Sequence, residues 1–231
     1  MRLLVSPKDL EEARAAVRGR ADIIDVKNPK EGSLGANFPW VIRRIKEEVS
    51  VPVSATIGDF DFKPGTAALA ALGAAVSGAE YIKVGLFKIK TAEQAVELLN
   101  AVVKAVKEFD GGKKVVSAFY SDYSRVGSVS PFELPKVAGE VDIDVAMVDT
   151  AIKDGKSTFE FLSEAELKRF VADARECGLE TAVAGSLKFE DIPTVKKINP
   201  DIIGVRGMLC GGGDRNSRIK EELVRRLKSM L

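Results

Sequence analysis

Short runs of β-branched and other apolar residues alternate with longer stretches in which apolar positions recur every three or four residues, from the first residues of the chain to the last. Strands are expected at Leu3–Val5, Asp22–Val26, Val53–Ile57, Tyr81–Val84, Lys114–Phe119, Asp144–Asp149, Thr181–Ala184 and Asp201–Val205, each followed by a helix. The stretches Ala92–Glu108 and Glu164–Cys177 set Val, Leu and Ala on one face with Lys and Glu between them, the pattern of a helix lying on a core. Helix starts are expected where a side-chain oxygen can take an orphan amide: Ser6 before Pro7, Thr91 with Gln94, Ser130 before Pro131 with Glu133, and Ser163 with Glu166.

No linker rich in Pro, Ser or Gly interrupts the series, so residues 1–231 are expected to form a single domain. Eight strand–helix units in this length predict an α/β chain folded as one (β/α)8 TIM barrel. The first turn, Ser6-Pro7-Lys8, lacks the glycines of a dinucleotide-binding turn, which argues against an open doubly wound sheet. No half-barrel duplication stands out in the sequence.

Composition narrows the chemistry. Lys and Arg number 35 against 34 Asp and Glu, so no bulk field draws the molecule to nucleic acid or to a membrane surface. Histidine is absent, which excludes histidine-based triads and HExxH sites. Cys177 and Cys210 are too few for a disulfide framework or a four-thiolate metal site and fit a reducing interior. Neither the N-terminus nor the apolar run Ala67–Val76 has the length of a secretion signal or a membrane span, so a cytoplasmic location is expected. Catalysis, if present, falls to Lys, Asp, Glu, Tyr or a cofactor.

In a barrel, residues of alternate parity face the interior, and the C-terminal ends of the strands open onto the active face. The parity of Ile23 also selects Asp25 and Lys27; Lys83 shares a face with Tyr81 and Gly85; Asp149 ends the face of Val145 and Met147, with Lys153 in the loop beyond. A lysine is nucleophilic only when neutral, and its ordinary pKa of about 10.4 must be lowered by burial or a second cation. Asp25, Lys27, Lys83 and Asp149 could therefore support imine formation, or could be internal ion pairs that fill the rim. For Lys153 a solvated loop position is the other reading.

An anion site is expected across the mouth, where the ends of the last two strands read Ala184-Gly185-Ser186 and Gly204-Val205-Arg206-Gly207, followed by Cys210-Gly211-Gly212-Gly213-Asp214-Arg215. Glycines admit a close approach of backbone to anion, and Arg206 can add a fork of donors; a flexible loop with a helix cap at Asp214 is the alternative. Cys210 reads as a small inert residue. Gly155-Lys156-Ser157 imitates the end of a P-loop, but position 150 is Thr, so triphosphate binding is not expected.

The run Asp25-Val-Lys-Asn-Pro-Lys-Glu-Gly-Ser-Leu-Gly-Ala-Asn37, with Tyr81-Ile-Lys-Val-Gly85, Asp149-Thr-Ala-Ile-Lys-Asp-Gly155 and Gly204-Val-Arg-Gly207, resembles the (5-formylfuran-3-yl)methyl phosphate synthase family of methanofuran biosynthesis, over nearly the whole chain. The resemblance implies a lyase-type condensation of two glyceraldehyde 3-phosphate molecules, with no metal and no organic cofactor. It implies Lys27 as the imine-forming lysine, Lys83 as proton acceptor, and Asp25, Asp149 and Lys153 as supporting groups. Where the resemblance leads one to expect a basic residue after Cys210 this chain has Gly211, which leaves Gly185, Ser186, Gly207, Gly211, Gly212 and Arg206 for phosphate.

Two other readings stay open at this point: another Schiff-base aldolase or transaldolase acting on sugar phosphates, and a non-enzymatic phosphometabolite-binding protein. The only partner expected besides a further copy of the chain is a small molecule, a triose phosphate; barrels often associate, and a homo-oligomer is the expectation.

Overall fold

Parallel strands buried on both faces need helices outside and side chains inside, and the chain supplies both by parity. The computed structural model describes residues 1–59 and 61–231. Strands β1 (Arg2–Val5), β2 (Ile23–Val26), β3 (Val53–Thr56), β4 (Tyr81–Gly85), β5 (Lys114–Tyr120), β6 (Val145–Asp149), β7 (Glu180–Val183) and β8 (Ile202–Val205) pair each with the next, and β8 pairs with β1 to close the barrel. The expected (β/α)8 TIM barrel is the observed one. Leu4, Ile23, Val116, Val145, Ala182 and Ile202 pack its interior, while Leu3, Ile24, Val53 and Ile203 face the helices.

Around it lie α1 (Leu10–Arg18), α2 (Pro39–Glu48), α3 (Pro64–Val76), α4 (Ala92–Phe109), the short α5 (Tyr123–Val126) and α6 (Leu134–Ala138), α7 (Glu164–Glu176), α8 (Ile192–Ile198) and α9 (Glu221–Met230). Ser163 and Glu166 close a capping box on α7, and Thr91 accepts from the Gln94 amide at 3.3 Å at the start of α4. Ser130 caps a single 3₁₀ turn, Pro131–Glu133, that leads into α6. The expected cap at Ser6 is not there. Helix α1 begins at Leu10 and is capped by Asp9, which accepts from the Glu12 amide at 2.9 Å, while the Ser6 hydroxyl turns into the barrel. The P-loop imitation is a capped turn as well: Ser157 and Glu160 exchange the two bonds of a capping box.

A fourfold device ties the N-terminal rim. Asp22, Glu80, Asp144 and Asp201, each just before an even-numbered strand, accept from the first amides of the preceding odd strand: Leu3 at 2.6 Å, Val53 at 2.9 Å, Val115 at 2.7 Å and Thr181 at 2.9 Å. Each acid also pairs with a base from the helix that stands before that odd strand around the closed barrel, α9 at the chain's end serving β1: Lys228 of α9, Lys46 of α2, Lys107 of α4 and Arg175 of α7. The barrel therefore repeats at the scale of two strand–helix units. Inside this rim, Glu180 pairs with Arg2 and Lys114, and Arg2 donates to the Tyr81 hydroxyl at 2.9 Å, sealing the floor.

At the opposite rim the loop after β2 folds over the barrel. Ser33 Oγ reaches the Thr150 carbonyl at 2.8 Å, Leu34 is fully buried among the interior side chains, and its amide donates to Asp59 Oδ2 at 2.7 Å. Tyr120 donates to the other oxygen of Asp59 at 2.5 Å. This loop plugs the mouth over β3–β5 and leaves it open over β6–β8 and β1, where a cavity of about 760 Å³ lies.

Candidate active site

At the C-terminal ends of the strands the interior row changes from hydrocarbon to charge. Asp25, fully buried, accepts from Ser6 Oγ at 2.9 Å, Ser54 Oγ at 2.8 Å and Lys83 Nζ at 2.7 Å. Burial by itself would raise its pKa, but the Lys83 and Lys27 charges and these hydrogen bonds hold it below the ordinary carboxylate range. Asp149, at the end of β6, accepts from Lys153 Nζ at 2.5 Å and from the Thr150 amide at 2.7 Å. Burial again opposes its ionisation, and the Lys153 and Lys27 charges outweigh it. Lys153 is thus held by Asp149 and by Thr150 Oγ1 at 2.9 Å.

Lys27 differs from both paired lysines. It is 6% exposed and lines the cavity, yet among the described residues its Nζ donates to no protein acceptor. Burial depresses its pKa most, Asp149 and Asp25 push it up, Lys153 and Lys83 push it down, and the balance lies at about 7. A large fraction of this amine is therefore neutral near pH 7, with its lone pair in an open cavity. Such an arrangement can attack a carbonyl. The structure brings Asp25, Lys27, Lys83, Asp149 and Lys153 together in one cluster at the mouth, where two ion pairs, Lys83–Asp25 and Lys153–Asp149, frame the unpaired lysine.

On the far side of the cavity, Gly185 (φ +102°) and Ser186 (φ +49°) turn the chain after β7. A Cβ at Gly185 would stand 2.1 Å from Thr158 Oγ1, so only glycine fits. Among the described residues the amides of Gly185, Ser186, Gly207 and Met208 donate to no protein acceptor and border the cavity. Gly212 lines it too, whereas the Gly211 amide is taken by the Arg218 carbonyl at 3.3 Å.

Arg206 is placed otherwise than expected. Its Nη1 donates to Glu12 Oε2 and to the Ser6 carbonyl, both at 2.7 Å; its Nη2 donates to Glu12 Oε1 at 3.3 Å and its Nε to the Arg215 carbonyl at 2.9 Å. The fork meant for an anion is closed on a buried carboxylate from α1. Cys210 is buried, and burial pushes its thiol up, as suits an inert packing residue. Asp214 starts no helix; it follows the 3₁₀ turn Gly211–Gly213 and accepts from the Asn216 amide at 2.9 Å within its own loop.

Residues 3–228 match the family model described as 4-HFC-P synthase. The chain belongs to that family. A protein of Methanosarcina barkeri named (5-formylfuran-3-yl)methyl phosphate synthase is 63% identical over 98% of this chain and 97% of its own. Proteins of the same name from Methanocaldococcus jannaschii and Archaeoglobus fulgidus are 58% and 56% identical, over 100% and 98% of this chain and 99% and 97% of their own. The chain is accordingly an enzyme of the synthase family, and the non-enzymatic reading gives way. Phosphoribosyl anthranilate isomerase from Thermus thermophilus superposes with a TM-score of 0.63 at 17% identity, covering 100% of this chain and 98% of that one, a likeness of fold alone. No helix among the described residues is long and apolar enough to cross a membrane.

Several residues of this 4-HFC-P synthase family site escape a reading of the sequence. Ser54 sits opposite Asp25 in the β2–β3 register, and the two hydroxyls of one parity in β3, Ser54 and Thr56, were its available signal. Ser6 and Glu12 are legible only once β1, α1 and β8 are adjacent.

Proposed function

We propose that this chain condenses two molecules of glyceraldehyde 3-phosphate into (5-formylfuran-3-yl)methyl phosphate, releasing one phosphate and two waters, through an imine at Lys27. We assign the reaction to methanofuran biosynthesis, in the cytoplasm, as a lyase acting on phosphates. One observation carries the reading: the only lysine of the mouth cluster without a carboxylate partner is the one whose pKa falls to about 7 and whose amine meets the cavity.

In this scheme neutral Lys27 adds to an aldehyde carbon, and water leaves the carbinolamine to give the imine. The protonated imine draws electrons from the adjacent carbon, so that its proton can pass to a base. Lys83 takes it after handing its own proton along the 2.7 Å hydrogen bond to Asp25; Asp149 and Lys153 hold charge balanced as the imine forms and opens. The enamine then expels phosphate or attacks the second aldehyde, and ring closure with loss of water gives the furan. The plug formed by Leu34 keeps bulk water from the buried side of this cluster.

The test is borohydride added during turnover with glyceraldehyde 3-phosphate alone. A covalent mass increment on Lys27, together with a furan chromophore and free phosphate, is the expected result. An unlabelled Lys27 would remove the imine step. A reversible open-chain aldol product would instead favour an aldolase or transaldolase.

A further inference from the structure

Cations at the mouth come with carboxylates: Lys83 with Asp25, Lys153 with Asp149, Arg206 with Glu12. Apart from Lys27, Arg215 is the exception. It is half-buried and lines the cavity, and among the described residues its guanidinium donates to no protein acceptor and pairs with no acid. Burial lowers its pKa most, and the Asp149 charge pushes it back only in part. An arginine stays charged under such conditions, so its half-desolvated fork calls for an anion from outside.

Its setting shows which kind. The root of Arg215 overlies Gly207, whose missing Cβ would stand 3.9 Å from the Arg215 Cβ. Gly207 belongs to the set of border amides without acceptors, with Met208 beside it and Gly185 and Ser186 across the cavity. Backbone donors of this sort together with one guanidinium fork suit a compact anion carrying several acceptor oxygens. Arg206 explains why the fork is held in place: its Nε takes the Arg215 carbonyl at 2.9 Å, its Nη2 takes the Ser217 carbonyl at 3.4 Å, and Glu12 anchors it from behind.

We propose that Arg215 grips the phosphate group of the substrate, and that Arg206 and Glu12 act as positioning residues that carry its loop. This deepens the function proposed above and rests on it for the identity of the phosphate ester, though not for the anion site itself.

The experiment compares Arg215→Gln, Arg215→Lys and Glu12→Gln with the unaltered chain. It reads the affinity for inorganic phosphate by calorimetry, the KM for glyceraldehyde 3-phosphate and the thermal midpoint. Loss of a charge-assisted bidentate contact should weaken phosphate binding and raise KM by about 10- to 100-fold in Arg215→Gln. Its midpoint should stay put, because no protein partner is lost. Arg215→Lys should restore only part of the affinity, since charge returns without the fork. Glu12→Gln should lower midpoint and phosphate affinity together, the latter read well below the midpoint. Unchanged phosphate affinity in Arg215→Gln overturns the proposal, as does a fall in midpoint with affinity intact. Borohydride capture on the unaltered chain separates the two readings. No imine at Lys27 but weakened phosphate binding in Arg215→Gln would overturn the imine chemistry and leave the anion site standing.

Discussion

Lys153 Nζ lies 2.5 Å from Asp149 Oδ1, and this ion pair stands next to the unpaired amine of Lys27, on which its two charges act in opposite senses. The neutral fraction of Lys27 grows as pH rises through about 7, so imine capture by borohydride should climb with a midpoint there and level off above pH 8. Lys153→Met removes a cation that pushes the pKa down and frees Asp149 to push it up. The midpoint should move to higher pH, and an upward move of one unit would leave about a tenth of the amine neutral at pH 7. Capture against pH in the two proteins checks this; an unmoved midpoint would show that Lys153 does not act on Lys27.

The Asp25–Lys83 pair makes a prediction about stability. Both side chains are buried, so Asp25→Asn leaves an uncompensated ammonium in the interior and should cost about 3–5 kcal/mol by urea unfolding. The same carboxylate dictates an acid limit. Its folded pKa is below its unfolded value, so the unfolded chain takes up protons first as pH falls. Asp25 and Asp149 therefore contribute stability that is complete above pH about 4 and lost progressively below it. Asp25→Asn should flatten that acid limb, measurable as urea midpoints between pH 5 and pH 3.

The period of two in a strand made much of this site legible: once β2, β4 and β6 are assigned, Asp25, Lys27, Lys83 and Asp149 must face inward near one end. A position just past the last strand put Arg206 at the rim but could not reveal its partner, because Glu12 arrives from α1, far away in sequence. Ser6 read as a helix cap for a similar reason. A local hydrogen bond is visible in a short motif, whereas the Asp25 carboxylate that claims this hydroxyl is not. The loop after β2 was conspicuous by composition, but its work as a plug depends on the reach of Ser33 to Thr150 across the mouth. The fourfold rim was invisible because its acids and bases recur at unequal spacings.

That rim offers a test remote from the chemistry. Asp144→Ala strips the Val115 amide of its acceptor and Lys107 of its partner, at the end of the barrel opposite the cavity. A loss of about 1–3 kcal/mol by urea unfolding is expected, with imine capture at Lys27 unaltered. Asp22→Ala should cost a similar amount, and since the two acids serve different strand pairs, the double variant should lose the sum to within about 0.5 kcal/mol. A much larger combined loss would mean that the four ties act as one ring.

Gly35 governs how the plug sits. Its carbonyl accepts from Thr56 Oγ1 at 2.7 Å and from the Asn28 amide at 2.9 Å, and a Cβ there would stand 2.3 Å from the Asn28 carbonyl and 2.9 Å from the Glu31 Cβ. Backbone cannot yield as a side-chain tip can, so Gly35→Ala must displace the loop and break one or both bonds. Leu34 then leaves the interior row, and water gains access to the cluster around Asp25 and Lys83. Because burial is the main reason for the low pKa of Lys27, that pKa should rise toward the ordinary lysine value. Turnover should fall by about 10²-fold, the scale set by a displacement of about 1 Å near reacting groups. The capture midpoint against pH should move upward as well, and raising the pH should recover part of the lost imine. Loss of turnover with an unmoved midpoint would show that the plug positions substrate without drying Lys27.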